Sequence, residues 1–87
     1  MRDPGSSDPP PTAAPARHLD VRGYLCPLPA RLSERAMRDL RPGDHLEIVG
    51  DDPVMVIDIP AWCDDQGHRL LRCEKDGNLV RCRVEKR

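Results

Sequence analysis

The 87-residue chain has no phenylalanine, one tryptophan and one tyrosine, so a surface that stacks bases on aromatic rings has almost nothing to work with. It also lacks a basic excess. Fourteen lysines and arginines against fifteen acidic residues leave a net charge of -1, unlike a dedicated nucleic-acid binder. No run of eighteen apolar residues is present, and Met1-Arg2-Asp3-Pro4 is followed by no apolar stretch; the expectation is a cytoplasmic protein with neither membrane span nor signal peptide. The gaps separating Cys26, Cys63, Cys73 and Cys82 contain no zinc knuckle, and His18, His45 and His68 are scattered among expected strand ends. No metal site is expected. The length leaves no room for a separate cofactor domain, and no cofactor is expected.

Proline is plentiful, but half of it is at one end. Pro4, Pro9, Pro10, Pro11 and Pro15 fall in a stretch otherwise made mainly of Ala, Ser, Asp, Arg and Gly, which cannot bury a core. Residues 1–17 read as a disordered tail and residues 18–87 as one small domain. A core of that size is marginal and needs tidy packing, a staple or a partner. In a reducing compartment the four thiols are not expected to be that staple.

Within 18–87 the periodicities alternate. His18–Arg22 has the period of a half-buried strand with Leu19 and Val21 on one side, and Gly23 and Tyr24 end it. Leu28, Leu32, Ala36 and Leu40 recur every fourth residue, widened by Met37, which predicts an amphipathic helix running from Pro27 to Arg41-Pro42-Gly43. His45–Val49 alternates again. Asp52 before Pro53 reads as an N-cap, and Pro60 predicts a helix restarted at Asp58 and ended by Gly67, with Ile59, Trp62 and Cys63 inward. Lys75-Asp76-Gly77-Asn78 predicts a hairpin turn between strands 69–74 and 79–85, the last with Val80, Cys82 and Val84 on its apolar side. The order β-α-β-α-β-β predicts an α+β fold, a two-layer α/β sandwich with a four-stranded mixed sheet and both helices on one face. Cys63, Cys73 (alternating with Leu71) and Cys82 are assigned to the core.

Cys26 stands between the first strand and the first helix, in the run Cys26-Pro27-Leu28-Pro29. At an N-cap the macrodipole and free amides favour an anion and lower a thiol pKa from about 8.5 toward neutrality. Pro27 and Pro29 delete two amides and leave those of Leu28 and Ala30 as donors, limiting the drop; a moderate pKa suits sulfur exchange. Arg22 and Arg31 are candidates for added positive potential. A small buried hydrophobe that happens to precede a helix has the same spacing, and on spacing alone both readings stay open.

The run Leu19-Asp20-x-x-Gly23-x-x-Cys26-Pro27-x-Pro29, followed by Gly43 and Leu46, Asp51-Asp52-Pro53, Asp58-Ile59-Pro60-x-Trp62 and Gly67-His68, resembles the TusA/SirA-type sulfur carriers over about residues 18–87. The resemblance implies the same β-α-β-α-β-β sandwich. It also implies that Cys26 accepts sulfane sulfur as a persulfide from a donor such as a cysteine desulfurase or rhodanese. An acceptor protein then takes the sulfur toward tRNA thiolation, molybdenum cofactor enzymes or sulfur metabolism. Gly23, Pro27 and Pro29 are expected to shape the motif, and Arg22, Arg31, Asp51, Asp52 and His68 to contribute to a partner-facing surface, with the alternative that Asp51, Asp52 and His68 only cap and punctuate the second helix. The expected state is a monomer that forms transient protein complexes without binding nucleic acid or membrane. Leu28 fills the variable position of the motif, where tRNA-thiolating members tend to carry an acidic residue. Two rivals are a noncatalytic RNA-binding or regulatory module using Arg69, Arg72, Arg81 and Arg83, and a thiol-redox sensor pairing Cys26 with Cys63.

Overall fold

The computed structural model describes residues 16–87. Six elements follow in order: β1 (Ala16–Asp20), α1 (Leu28–Met37), β2 (His45–Gly50), α2 (Met55–Gln66), β3 (Arg69–Asp76) and β4 (Leu79–Glu85). The sheet runs β1-β2-β4-β3, with β1 parallel to β2 and the other neighbours antiparallel. The expected mixed-sheet sandwich is therefore present. β1 begins two residues before the predicted domain boundary, so Ala16 and Arg17 belong to the sheet; the rest of the expected tail, 1–15, lies outside the described residues. Arg22, expected in the first strand, follows it in a turn.

Leu46, Ile48 and Gly50 pair with Val84, Cys82 and Val80, so their side chains share one face, and all but the glycine are fully buried hydrophobics. The helices close that face with Ala36, Met37, Met55, Ile59, Trp62 and Cys63. On the opposite face Glu47 receives Arg72 at 2.7 Å and Arg83 at 3.2 Å, and Arg83 Nε donates to Nδ1 of the buried His45 at 2.9 Å.

Three local predictions are corrected. The buried stripe of α1 is Pro29, Ser33, Ala36 and Met37, one residue round from the predicted one. Ser33 enters the core because its hydroxyl donates to the Pro29 carbonyl at 2.7 Å, which leaves Leu28 46% exposed. The helix also ends at Met37, short of Arg41, where Lys86 Nζ donates to the carbonyls of Met37 and Leu40 at 2.7 and 2.6 Å. Second, α2 is continuous through Pro60, with no restart at Asp58. Met55, Ile59, Trp62 and Cys63 form one buried stripe across the proline, so core burial outweighs the lost hydrogen bond. Third, β3 carries a bulge between Leu70 and Arg72. Leu71 is the extra residue and is 40% exposed, while Leu70 and Cys73 both pack against the core; Cys73 does not share a face with Leu71. The hairpin loop itself is Gly77-Asn78, because Asp76 pairs with Leu79. Gly77 has φ 62° and, among the described residues, no non-glycine has positive φ, the pattern of a two-residue turn with glycine first.

Candidate active site

Cys26 sits in the seven-residue connection between β1 and α1. Val21 is fully buried and anchors the start of that connection. The chain then turns, with the Tyr24 N–H donating to the Val21 carbonyl at 3.2 Å and Gly23 at φ 88° in the position that demands positive φ. Two consecutive aspartates from the end of β2 hold the turn. Asp51 accepts the Gly23 N–H at 2.9 Å and Asp52 the Cys26 N–H at 2.8 Å. The other oxygen of Asp52 accepts the Val54 N–H at 3.0 Å. Asp52 is not the N-cap expected of it: Val54 holds that place without a side-chain cap bond and the helix begins at Met55, so Asp52 braces the turn that leads into the start of α2. Its second bond ties that start to the Cys26 loop.

Cys26 is one residue further from α1 than an N-cap. Pro27 takes that place, with a cis Cys26–Pro27 peptide, and Pro29 lies in the first turn with its ring buried. The Leu28 N–H, expected to face the sulfur, donates instead to the Leu25 carbonyl at 3.0 Å. The Asp52 carboxylate beside Cys26 is held below the usual carboxylate range by the Cys26 and Val54 amides that donate to it.

The half-buried thiol is consequently not activated in the isolated chain. Burial of the sulfur, then the Asp58 and Asp52 carboxylates that accept from it and repel its anion, push Cys26 up to about 12. This overturns the expected depression. Neither expected cation offsets it: Arg22 is engaged by Asp20 through Nε at 3.0 Å and Nη2 at 2.8 Å, and Arg31 is exposed on α1. Asp58 was legible only as a helix cap. Its approach to Cys26 depends on how the start of α2 docks against the 23–27 loop, which no local pattern encodes.

His68 is not brought to the site. It follows α2 at the end remote from Asp52, across about 18 Å of helix, and its ring lies 5.4 Å from that of Trp62. Its N–H returns to the Cys63 carbonyl at 2.9 Å, so it closes the helix rather than facing a partner of Cys26. Burial and the Lys86 ammonium lower its pKa.

Around Cys26 the surface is apolar. Leu25 is 71% and Ile57 68% exposed, and Tyr24, Leu28, Val54 and Val56 are substantially exposed as well. These positions come from the loop before α1 and from the start of α2, the two segments that Asp52 joins. Leu28, Val56 and Ile57 lie in helices, where apolar residues normally face inward, and Tyr24 and Leu25 lie in a loop that carries no periodic signal. The grooves along α1 are lined by Leu19, Leu32, Ala36 and the Arg35 and Arg38 side chains, or by Met37, Gln66 and Lys86, and neither includes Cys26. Among the described residues no cluster of three His, Cys, Asp or Glu side chains is placed to hold a metal, and no helix is long and apolar enough to cross a membrane.

The arginines of the rival nucleic-acid face are largely matched by acids. Arg72 and Arg83 meet Glu47, and Arg69 lies 4.0 Å from Glu85.

Residues 17–86 match the family model described as sulfurtransferase TusA. Among solved structures, the chain is similar to a SirA-like protein from Desulfitobacterium hafniense, with a TM-score of 0.68 and 19% identity over 78% of this chain and 93% of that one. At that identity the likeness is one of fold.

Proposed function

The chain belongs to the sulfurtransferase TusA family, and from that premise we propose that Cys26 is its single covalent station, charged by a donor protein and discharged by an acceptor protein. The observation that carries the reading is a half-buried thiol with its loop clamped by Asp51 and Asp52 and rimmed by exposed Leu25, Leu28, Val54 and Ile57. Such a rim suits a docking protein, and the shallow surroundings suit it better than a free small molecule.

In charging, Cys26 Sγ attacks the outer sulfur of a donor cysteine persulfide, as presented by a cysteine desulfurase or rhodanese. A bond forms from Cys26 Sγ to that sulfur, the donor S–S bond breaks, and the donor leaves as a thiolate that takes up the proton lost from Cys26. Discharge repeats the exchange, an acceptor thiol attacking the terminal sulfur and releasing Cys26 as a thiol. Burial first, and then Asp58 and Asp52, hold the proton on the free carrier. A donor that covers the thiol and brings a cation to these carboxylates weakens the second part of that hold, so the nucleophile forms where the donor is. Pro27 and Pro29 shape the entrance to α1, and Gly23 the turn before it. On this reading the protein works in the cytoplasm, and its carrier domain runs from Ala16, where β1 begins, through residue 87.

Incubation of the full chain with a cysteine desulfurase and cysteine, followed by mass spectrometry, is expected to add about 32 Da per sulfur atom at Cys26. Cys26→Ser is expected to abolish the addition. Sulfur on Cys73 instead, or no addition to the wild-type chain, overturns the proposal.

A further inference from the structure

Three thiols take no part in this chemistry, and two of them face each other. Cys73 and Cys82 are direct partners in the antiparallel β3–β4 ladder, and their sulfurs lie 2.6 Å apart. Directly opposed antiparallel residues have Cα atoms about 4.5–5.5 Å apart, within the span a disulfide bridges. The opposition depends on the bulge at Leu71. Leu70 points into the core, and in an unbroken ladder Cys73, three residues on, would point away; the extra residue turns it back toward Cys82.

We propose that Cys73 and Cys82 form an oxidisable dithiol, a modification site separate from Cys26 whose oxidant is a low-molecular-weight disulfide. Accessibility sets the order of events. Cys73 is half-buried at an edge strand, whereas Cys82 is fully buried and its thiol is pushed up by that burial and by its neighbour Cys73. Cys73 thiolate attacks one sulfur of the disulfide, forming a mixed disulfide and releasing one thiolate. Cys82 then attacks the Cys73 sulfur, the Cys73–Cys82 bond forms and the second thiolate leaves. The pair loses two electrons and two protons, and one disulfide becomes two thiols. Cys63, although buried close by, has no strand partner in register and is not the resolving thiol.

The test equilibrates the full chain in glutathione buffers of increasing disulfide content, quenches in acid, alkylates and maps tryptic peptides. Residues 73–75 are expected to appear joined to residues 82–83, about 2 Da below the sum of the reduced pair, and alkylatable thiols to fall from four to two. Cys26→Ser, which removes the sulfur station, is expected to leave the link unchanged, so failure of one proposal does not touch the other. A link from Cys63 to either thiol, glutathione retained on Cys73 without closure, or full alkylation of both thiols in the most oxidising buffer would overturn the site. Wild-type protein suffices for each outcome; Cys73→Ser, a change at the more accessible position, is expected to abolish the link with Cys26 loading retained.

Discussion

At the scale of single residues, the chemistry turns on who holds the proton of Cys26. With its pKa pushed up to about 12, alkylation of Cys26 by iodoacetamide is expected to climb roughly tenfold per pH unit between about pH 7 and 10 without a plateau. A plateau near neutral pH would show an activated thiol. Asp58→Asn removes the carboxylate nearest in effect after burial itself, and is expected to speed alkylation near pH 8 about tenfold, the equivalent of one pKa unit; an unchanged rate would remove Asp58 from the site. Cys26 as the candidate position was legible from its place before Pro27 and Pro29 together with the family resemblance. The direction of its pKa was not. A helix entrance argues for an anion, but the opposing carboxylates come from a segment more than twenty residues away, and only the bonds from Asp51 and Asp52 reveal that the two segments meet.

At the scale of elements, α1 depends on a residue at the far end of the chain. Lys86→Ala deletes the two donations to the Met37 and Leu40 carbonyls and is expected to lower stability by about 1.5–3 kcal/mol in urea titration, the range for charge-assisted bonds. A change within error would mean that water replaces the ammonium there. In α2 the expectation has the opposite sign. Pro60→Ala restores an amide inside a helix whose buried stripe already runs through the position, and a gain of about 1–3 kcal/mol is expected. Loss of stability would show that the proline ring supports the packing more than it disturbs the helix. All six elements were legible, β1, α1, β2 and β4 from regular apolar periods and α2 and β3 from the proline, glycine and Asp-Gly signals that bound them. Their details failed where a side chain satisfied a backbone group out of pattern: the Ser33 hydroxyl at Pro29, the ammonium that ends α1, and the extra residue that turns Cys73 inward.

Across the whole molecule, thiols kept neutral by burial link stability to alkaline pH. Cys63 is pushed up to about 12, chiefly by burial, and Cys82 is raised in the same direction for the same first reason. Since their folded pKa values exceed the unfolded one, their contribution is complete below about pH 8.5 and falls away as pH rises toward the folded values. Unfolding free energy is expected to decline by about 1.4 kcal/mol per pH unit for each such thiol above about pH 9. A flat profile from pH 8 to 10.5, measured by urea denaturation under reducing conditions, would show that these sulfurs ionise freely in the fold. Topology was legible at this scale, whereas the matching of arginines by acids on the open sheet face was not. Arg72 and Arg83 read as a basic patch until the register places both against Glu47.

The attachment of Lys86 to the end of α1 also fixes where a handle can be added. α1 is ten residues long, about 15 Å, and Cys26 precedes its opposite end. A tether fused beyond Arg87 would therefore hold the protein by its rear, leaving the proposed station at Cys26 on the opposite side for capture of docking proteins on a bead or sensor chip.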